Sequence, residues 1–89
     1  MTQMFSLGIT VATKGVLNLF GPFEITNLLT RHILCDWGDL GQEDKALNDA
    51  ALLSGQDRIF SAYNTSQGKV WIITEHDRSL TTVLLPAEY

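Results

Sequence analysis

Apolar and polar positions alternate with period two over Phe5 to Val11 (Phe-Ser-Leu-Gly-Ile-Thr-Val), a run rich in β-branched residues. This predicts a short strand, with Gly8 marking an edge or a bulge. The period then lengthens. Thr13 is placed to N-cap a short helix through Val16, Leu17 and Phe20, and Gly21 stands where a left-handed stop is wanted. Gly15 weakens that helix, so an extension of the strand is the other reading. Pro22 opens the next element, where its missing N–H costs nothing, and Ile25, Leu28, Leu29, His32 and Ile33 fall on one face of the best-patterned helix in the chain. Asp39 followed three residues later by Gln42 fits a capping box. It would start a helix buried through Leu47, Ala50, Ala51 and Leu53 or Ser54 and ending at Gly55.

After Asp57 the pattern turns to strands: Arg58 to Tyr63, Lys69 to Glu75 and Leu80 to Leu85. They are joined by Asn64–Gly68 and His76–Ser79, both short enough for hairpins. Val70, Ile72 and Thr74 oppose Trp71, Ile73 and Glu75 on the middle strand, so both of its faces are partly apolar. One face should take the helices, and the other the N-terminal segment or a second copy. Pro86 ends the last strand, and Tyr89 can fold back as a plug. The expected fold is α+β: a three- to four-stranded antiparallel sheet, its C-terminal part a meander, packed against two or three N-terminal helices in a single domain, 1–89.

Length changes this picture first. A chain of 89 residues buries only roughly 60–65% of the surface its unfolded form exposes, so a partner or a second copy at the sheet face or edge would add stability. Charge changes it next. The net charge is −4; between Asp36 and Asp49 five acids (Asp36, Asp39, Glu43, Asp44, Asp49) face one base (Lys45), whereas the rest of the chain balances five acids with five bases. Six scattered Lys and Arg do not supply the phosphate neutralisation that drives direct nucleic-acid binding. An acidic segment suits a basic protein surface instead, including the groove of a nucleic-acid-handling protein. The lone Cys35 has no internal disulfide partner, and no Cys/His pair has zinc-finger spacing, which fits the reducing cytoplasm. Polar residues interrupt the N-terminal apolar run and no basic flank precedes it, so neither a membrane anchor nor a signal is expected.

Arg31-His32, Asp36-Trp-Gly-Asp39, Glu43-Asp44 and Asn48, followed by Trp71-Ile-Ile-Thr-Glu-His-Asp-Arg-Ser79 and Thr81-Thr-Val-Leu-Leu-Pro86, resemble over nearly the full length a family of short bacterial proteins. Members of that family are carried on plasmids, integrative elements, integron cassettes and similar mobile DNA, and have no established activity. The resemblance implies a mobile-element origin and an accessory role. Leu34 and Cys35 stand where the relatives usually have a polar residue and Gly.

Two clusters carry candidate chemistry. His32, Asp36, Asp39 and Asp44 have the ligand types of a hard-cation or mixed metal site, but the spacing matches no calcium loop. The competing role is local, with Asp36 and Asp39 capping helix ends and His32 satisfying a backbone group. Glu75, His76, Asp77 and Arg78 could be an acid–base site on a hairpin, or turn chemistry with Glu75 or Asp77 holding Arg78. Cys35 and His32 lie i, i+3 on one helix, a poor arrangement for a nucleophile and its base. No phosphate loop, nucleophile elbow or dinucleotide fingerprint is present, so no cofactor is expected. Trp37 either covers the helix ends as core or is displayed as a contact residue among acids. The favoured reading is a non-enzymatic protein that binds another protein through His32, Asp36, Trp37, Asp39, Glu43, Asp44 and Asn48. The alternative is a small metal-dependent or ligand-binding enzyme using His32, Asp36, Asp39 and the hairpin Glu75, Asp77 and Arg78.

Overall fold

The computed structural model describes residues 4–89. The N-terminal strand β1 (Ile9–Ala12) is followed by helices α1 (Lys14–Leu19), α2 (Pro22–Ile33) and α3 (Gln42–Ser54), then by strands β2 (Ile59–Thr65), β3 (Gly68–Thr74) and β4 (Leu80–Leu84) and a 3-10 turn, Pro86–Glu88. The fold is α+β, with the helices N-terminal to the meander.

Thr13 makes the switch from strand to helix: its hydroxyl accepts from the Val16 N–H, and its own N–H still donates to Val83 O on β4. Gly21 does not act as a left-handed stop. It is extended (φ −80°) and N-caps α2, where Glu24 Oε1 accepts its N–H, because α1 is already closed by the extended Phe20, whose N–H donates to Val16 O. The expected face of α2 is buried as its spacing dictates: Leu28 and His32 fully, Ile25, Leu29 and Ile33 partly.

β2, β3 and β4 form the antiparallel meander, and β1 joins it parallel to β4, giving the order β1-β4-β3-β2. The sheet is thus mixed rather than wholly antiparallel. A strand that reaches the sheet edge through the helical layer, rather than through a hairpin, is free to run either way. Ala12, Val83, Ile72 and Ser61 share one cross-strand row. On that side Val70, Ile72, Val83 and Tyr63 meet Val16, Phe20 and Leu28 in the main core. On the other side Trp71 stacks edge-on with Phe60 and with Tyr89, and the Tyr89 hydroxyl accepts from Arg58. Tyr89 therefore folds back as expected, whereas the N-terminal segment joins the sheet edge and leaves that face to the aromatic side chains.

α3 departs most from expectation. Its N-cap is Gly41, not Asp39, and its buried residues are Asn48 and Ala51, while Leu47 and Leu53 are exposed. The period is right, but the buried stripe is rotated by one residue. Asn48, a polar side chain on any hydropathy scale, is the anchor that sets the phase.

Candidate functional site

The acidic corner is built on the way α2 ends. Cys35 N–H bonds to His32 O and Asp36 N–H reaches back to Arg31 O, the Schellman pattern that satisfies the last helical carbonyls. Cys35 takes the left-handed conformation (φ 65°), which favours glycine. Burial, then the charge of Asp49, raises the Cys35 thiol pKa, so the thiol is no ready nucleophile.

From this cap Trp37, Gly38 and Asp39 run alongside β2 and take up its outer edge. Ala62 N–H donates to Trp37 O, Asp39 N–H to Ala62 O at 2.6 Å, and Asn64 N–H to Asp39 Oδ2 at 2.8 Å. Asn48 completes the seam, its Oδ1 accepting Phe60 N–H at 3.0 Å and its Nδ2 donating to Phe60 O at 2.6 Å. The exposed edge strand is closed by a loop and a helix side chain, the usual protection against further strand pairing. Only glycine fits position 38: φ is +77°, and a Cβ there would sit 2.1 Å from Ala62 O.

Asp36 is held by Arg31 at 2.6 Å and accepts Gly38 N–H on its other oxygen, and the Arg31 hydrogen bond keeps its pKa below the usual carboxylate range. The Asp36 carbonyl accepts the Tyr63 hydroxyl, whose ring lies under the Arg31 guanidinium. Burial is the main reason that Tyr63 titrates only at about 12. Trp37 is 5% exposed and packs with Ala51 and Ile59, its Nε1–H donating to Asp49 Oδ1. A contact role for a displayed Trp37 is therefore ruled out: the indole is core, and Asp36, Asp39, Asp49 and Asn48 each bond to the frame around it, the three aspartates remaining exposed.

His32 is fully buried between two strands, Nδ1 2.6 Å from Ser61 Oγ and Nε2 3.0 Å from Thr74 Oγ1. Thr74 Oγ1 lies 2.7 Å from Thr81 Oγ1, which donates to Leu7 O. Direction follows from the far end. A carbonyl only accepts, so Thr81 spends its proton there, Thr74 donates to Thr81, His32 Nε2–H donates to Thr74, and Nδ1 accepts from Ser61. Desolvation lowers the His32 pKa to about 3, and the imidazole stays neutral with both nitrogens in use. It is neither a ligand nor a base for Cys35. Among the described residues no three His, Cys, Asp or Glu side chains are placed to share an ion. The constellation His32, Asp36 and Asp39 is thus not assembled, because each side chain faces a different partner.

The hairpin cluster also separates. Arg78 pairs with neither Glu75 nor Asp77. Its guanidinium donates to the carbonyls of Asp57, His76, Glu75 and Ala51, tying the β3–β4 turn to the C-terminal end of α3, where a positive charge suits the exposed carbonyls. Asp77 accepts both the N–H and the hydroxyl of Ser79, and those bonds hold its pKa down. Sequence reasoning also passed over Glu88, which accepts from Thr13, Gly15 and Leu85 and so closes the start of α1 from the other end of the chain. The early Pro86 was the only sign of that turn.

Asp36 and Asp39 stay exposed at the corner, and beyond it α3 displays much of its surface. Glu43 and Asp44 lie exposed in its first turn, and Leu47 and Leu53 are 67% and 91% exposed. A cleft of about 250 Å³ between α3 and β2 is lined by Asp44, Leu47, Asn48, Ala50, Asp57, Arg58 and Phe60. No described helix is long and apolar enough to cross a membrane. Comparison of the chain with family models, curated proteins and solved structures gives no match.

Proposed function

We propose that this chain is a non-enzymatic accessory protein of mobile DNA that acts in the cytoplasm by binding another protein, with the contact on α3 rather than at Trp37. The observation that carries the reading is the exposure of Leu47, beside the cleft, and of Leu53, further round a helix that is anchored through Asn48 and Ala51. Large apolar side chains standing in water beside carboxylates are the composition of an interaction surface. Glu43, Asp44 and Asp57 would steer a basic partner of the kind that handles nucleic acid, and the cleft beside Leu47 would seat an apolar side chain from it. The mobile-DNA context rests on the motif resemblance, and the compartment on the free thiol of Cys35.

Capture from a bacterial lysate with the tagged chain tests the proposal. A basic protein should be retained at low salt and lost at high salt. Asp44→Lys combined with Leu47→Ser should remove it while circular dichroism stays unchanged, because surface substitutions of this kind alter stability by only about 0.5 kcal/mol. Retention that ignores the double substitution would refute the α3 contact.

A further inference from the structure

The two edges of the sheet are treated differently. The β2 edge is closed by Trp37, Asp39 and Asn48, whereas no described residue pairs with the outer edge of β1. Ile9 and Thr13 donate their N–H groups inward to Ser79 and Val83. The alternation of a parallel ladder therefore turns the N–H and C=O of Thr10 and Ala12 outward. Beyond them lies an apolar groove of about 400 Å³, lined by Thr10, Val11, Ala12, Leu17, Phe20 and Ile25 together with Pro22, Thr26 and Val83. None of these residues is charged. β1 is short, but it carries neither lysine nor proline, and no described segment covers its edge.

We infer that β1 is a self-association edge. Two copies pair antiparallel about Val11, and the two four-stranded sheets become one of eight strands. The pairing is isologous: Thr10 of one copy meets Ala12 of the other and the reverse, so the four outward groups of each strand are answered by those of its mate. Val11 then faces Val11 in the close, non-hydrogen-bonded position.

Three features favour a second copy over another occupant. First, Ile9 (70% exposed) and Val11 (41%) on the strand, Leu17 (61%) in the groove and Phe23 (88%), one turn before the groove residue Thr26, are open to solvent. Together they expose roughly 500 Å² per copy, so pairing that covers them on both faces of the sheet buries at most the ~1,000 Å² at which specific interfaces begin. Second, the acidic excess lies on α3 and the corner beside β2, at the far edge of the sheet order β1-β4-β3-β2, so approach along β1 does not bring it together. Third, a strand of four residues, with Gly8 left-handed (φ +62°) before it and a helix after it, has the right length for one symmetric four-bond ladder and little more.

Sedimentation of the full chain over a wide concentration range tests this. The expected result is a reversible monomer–dimer equilibrium in the micromolar range. It should move to monomer by tenfold or more in dissociation constant for Val11→Lys, and equally for Thr10→Pro, which removes an outward N–H without touching the ladder to β4. Circular dichroism should show both variants folded. A second measurement fixes the register independently of affinity: Val11→Cys in a Cys35→Ser background should oxidise to a covalent dimer, and Leu53→Cys in the same background should not. A monomer at all concentrations, a dimer indifferent to both edge variants, or cross-linking through position 53 instead of 11 would overturn the inference. Binding of a foreign extended peptide to a strictly monomeric chain would do the same and would assign the edge to another protein.

Discussion

His32 shows how far a single side chain's role can differ from its type. Histidine beside aspartates suggests a ligand or a base, yet here the ring is one link in a relay from Ser61 to the Leu7 carbonyl. The folded imidazole takes up a proton only at about pH 3, whereas the unfolded chain does so near 6.5. The contribution of His32 to stability is therefore fully present above about pH 6.5 and should fall by about 1.4 kcal/mol for each unit below it until the folded value is reached. Urea unfolding at pH 7, 6 and 5 checks this above the carboxylate range, and a His32→Gln variant, though less stable throughout, should be flat over the same interval. Nitrogen-15 NMR at pH 5 should still find His32 neutral and protonated at Nε2; the Nδ1 tautomer would contradict the hydrogen-bond order. Gly38 offers a purely steric counterpart. Gly38→Ala forces a Cβ onto the Ala62 carbonyl at positive φ and should cost about 3 kcal/mol or more, measured by thermal unfolding. Gly41→Ala, with open space around it, should stay within about 1 kcal/mol.

At the level of elements, the strength of each sequence signal tracked how far local chemistry decides the outcome. The period of α2 and the turn residues around the meander made those elements legible, because burial on one face leaves its repeat in the sequence. The phase of α3 was not legible. Asn48 is buried for its two hydrogen bonds to Phe60, and that partner lies twelve residues further along the chain. Replacing Asn48 by Leu would keep the volume and strand both Phe60 main-chain groups, so unfolding should show a loss of about 2–4 kcal/mol. Arg78 tells the same story at the far side of α3, since an arginine in a hairpin turn looks like half of an ion pair until the carbonyls of Ala51 and Asp57 are placed around it. Arg78→Ala should lower the melting temperature by several degrees and raise hydrogen exchange at the last turn of α3, the end it holds.

Over the whole molecule, concentrated acidity and a tryptophan in one segment read equally well as a display or as a joint, and the sequence alone does not choose. The fold does. Asp36, Asp39, Asp49 and Asn48 are turned toward main-chain groups, Arg31 and the indole, so the motif that looked most functional frames the β2 edge. Leu47 and Leu53, which a helix pattern assigned to the core, are exposed instead, and the contact proposed above uses them. The most direct test of this division of labour is the affinity of the purified captured protein for two variants of the chain. Asp44→Lys with Leu47→Ser should weaken binding at least tenfold with stability intact. Asp36→Asn, which takes the charge from the Arg31 pair, should lower stability and leave affinity unchanged. If Asp36→Asn abolishes binding and the α3 double variant does not, the corner is the contact after all.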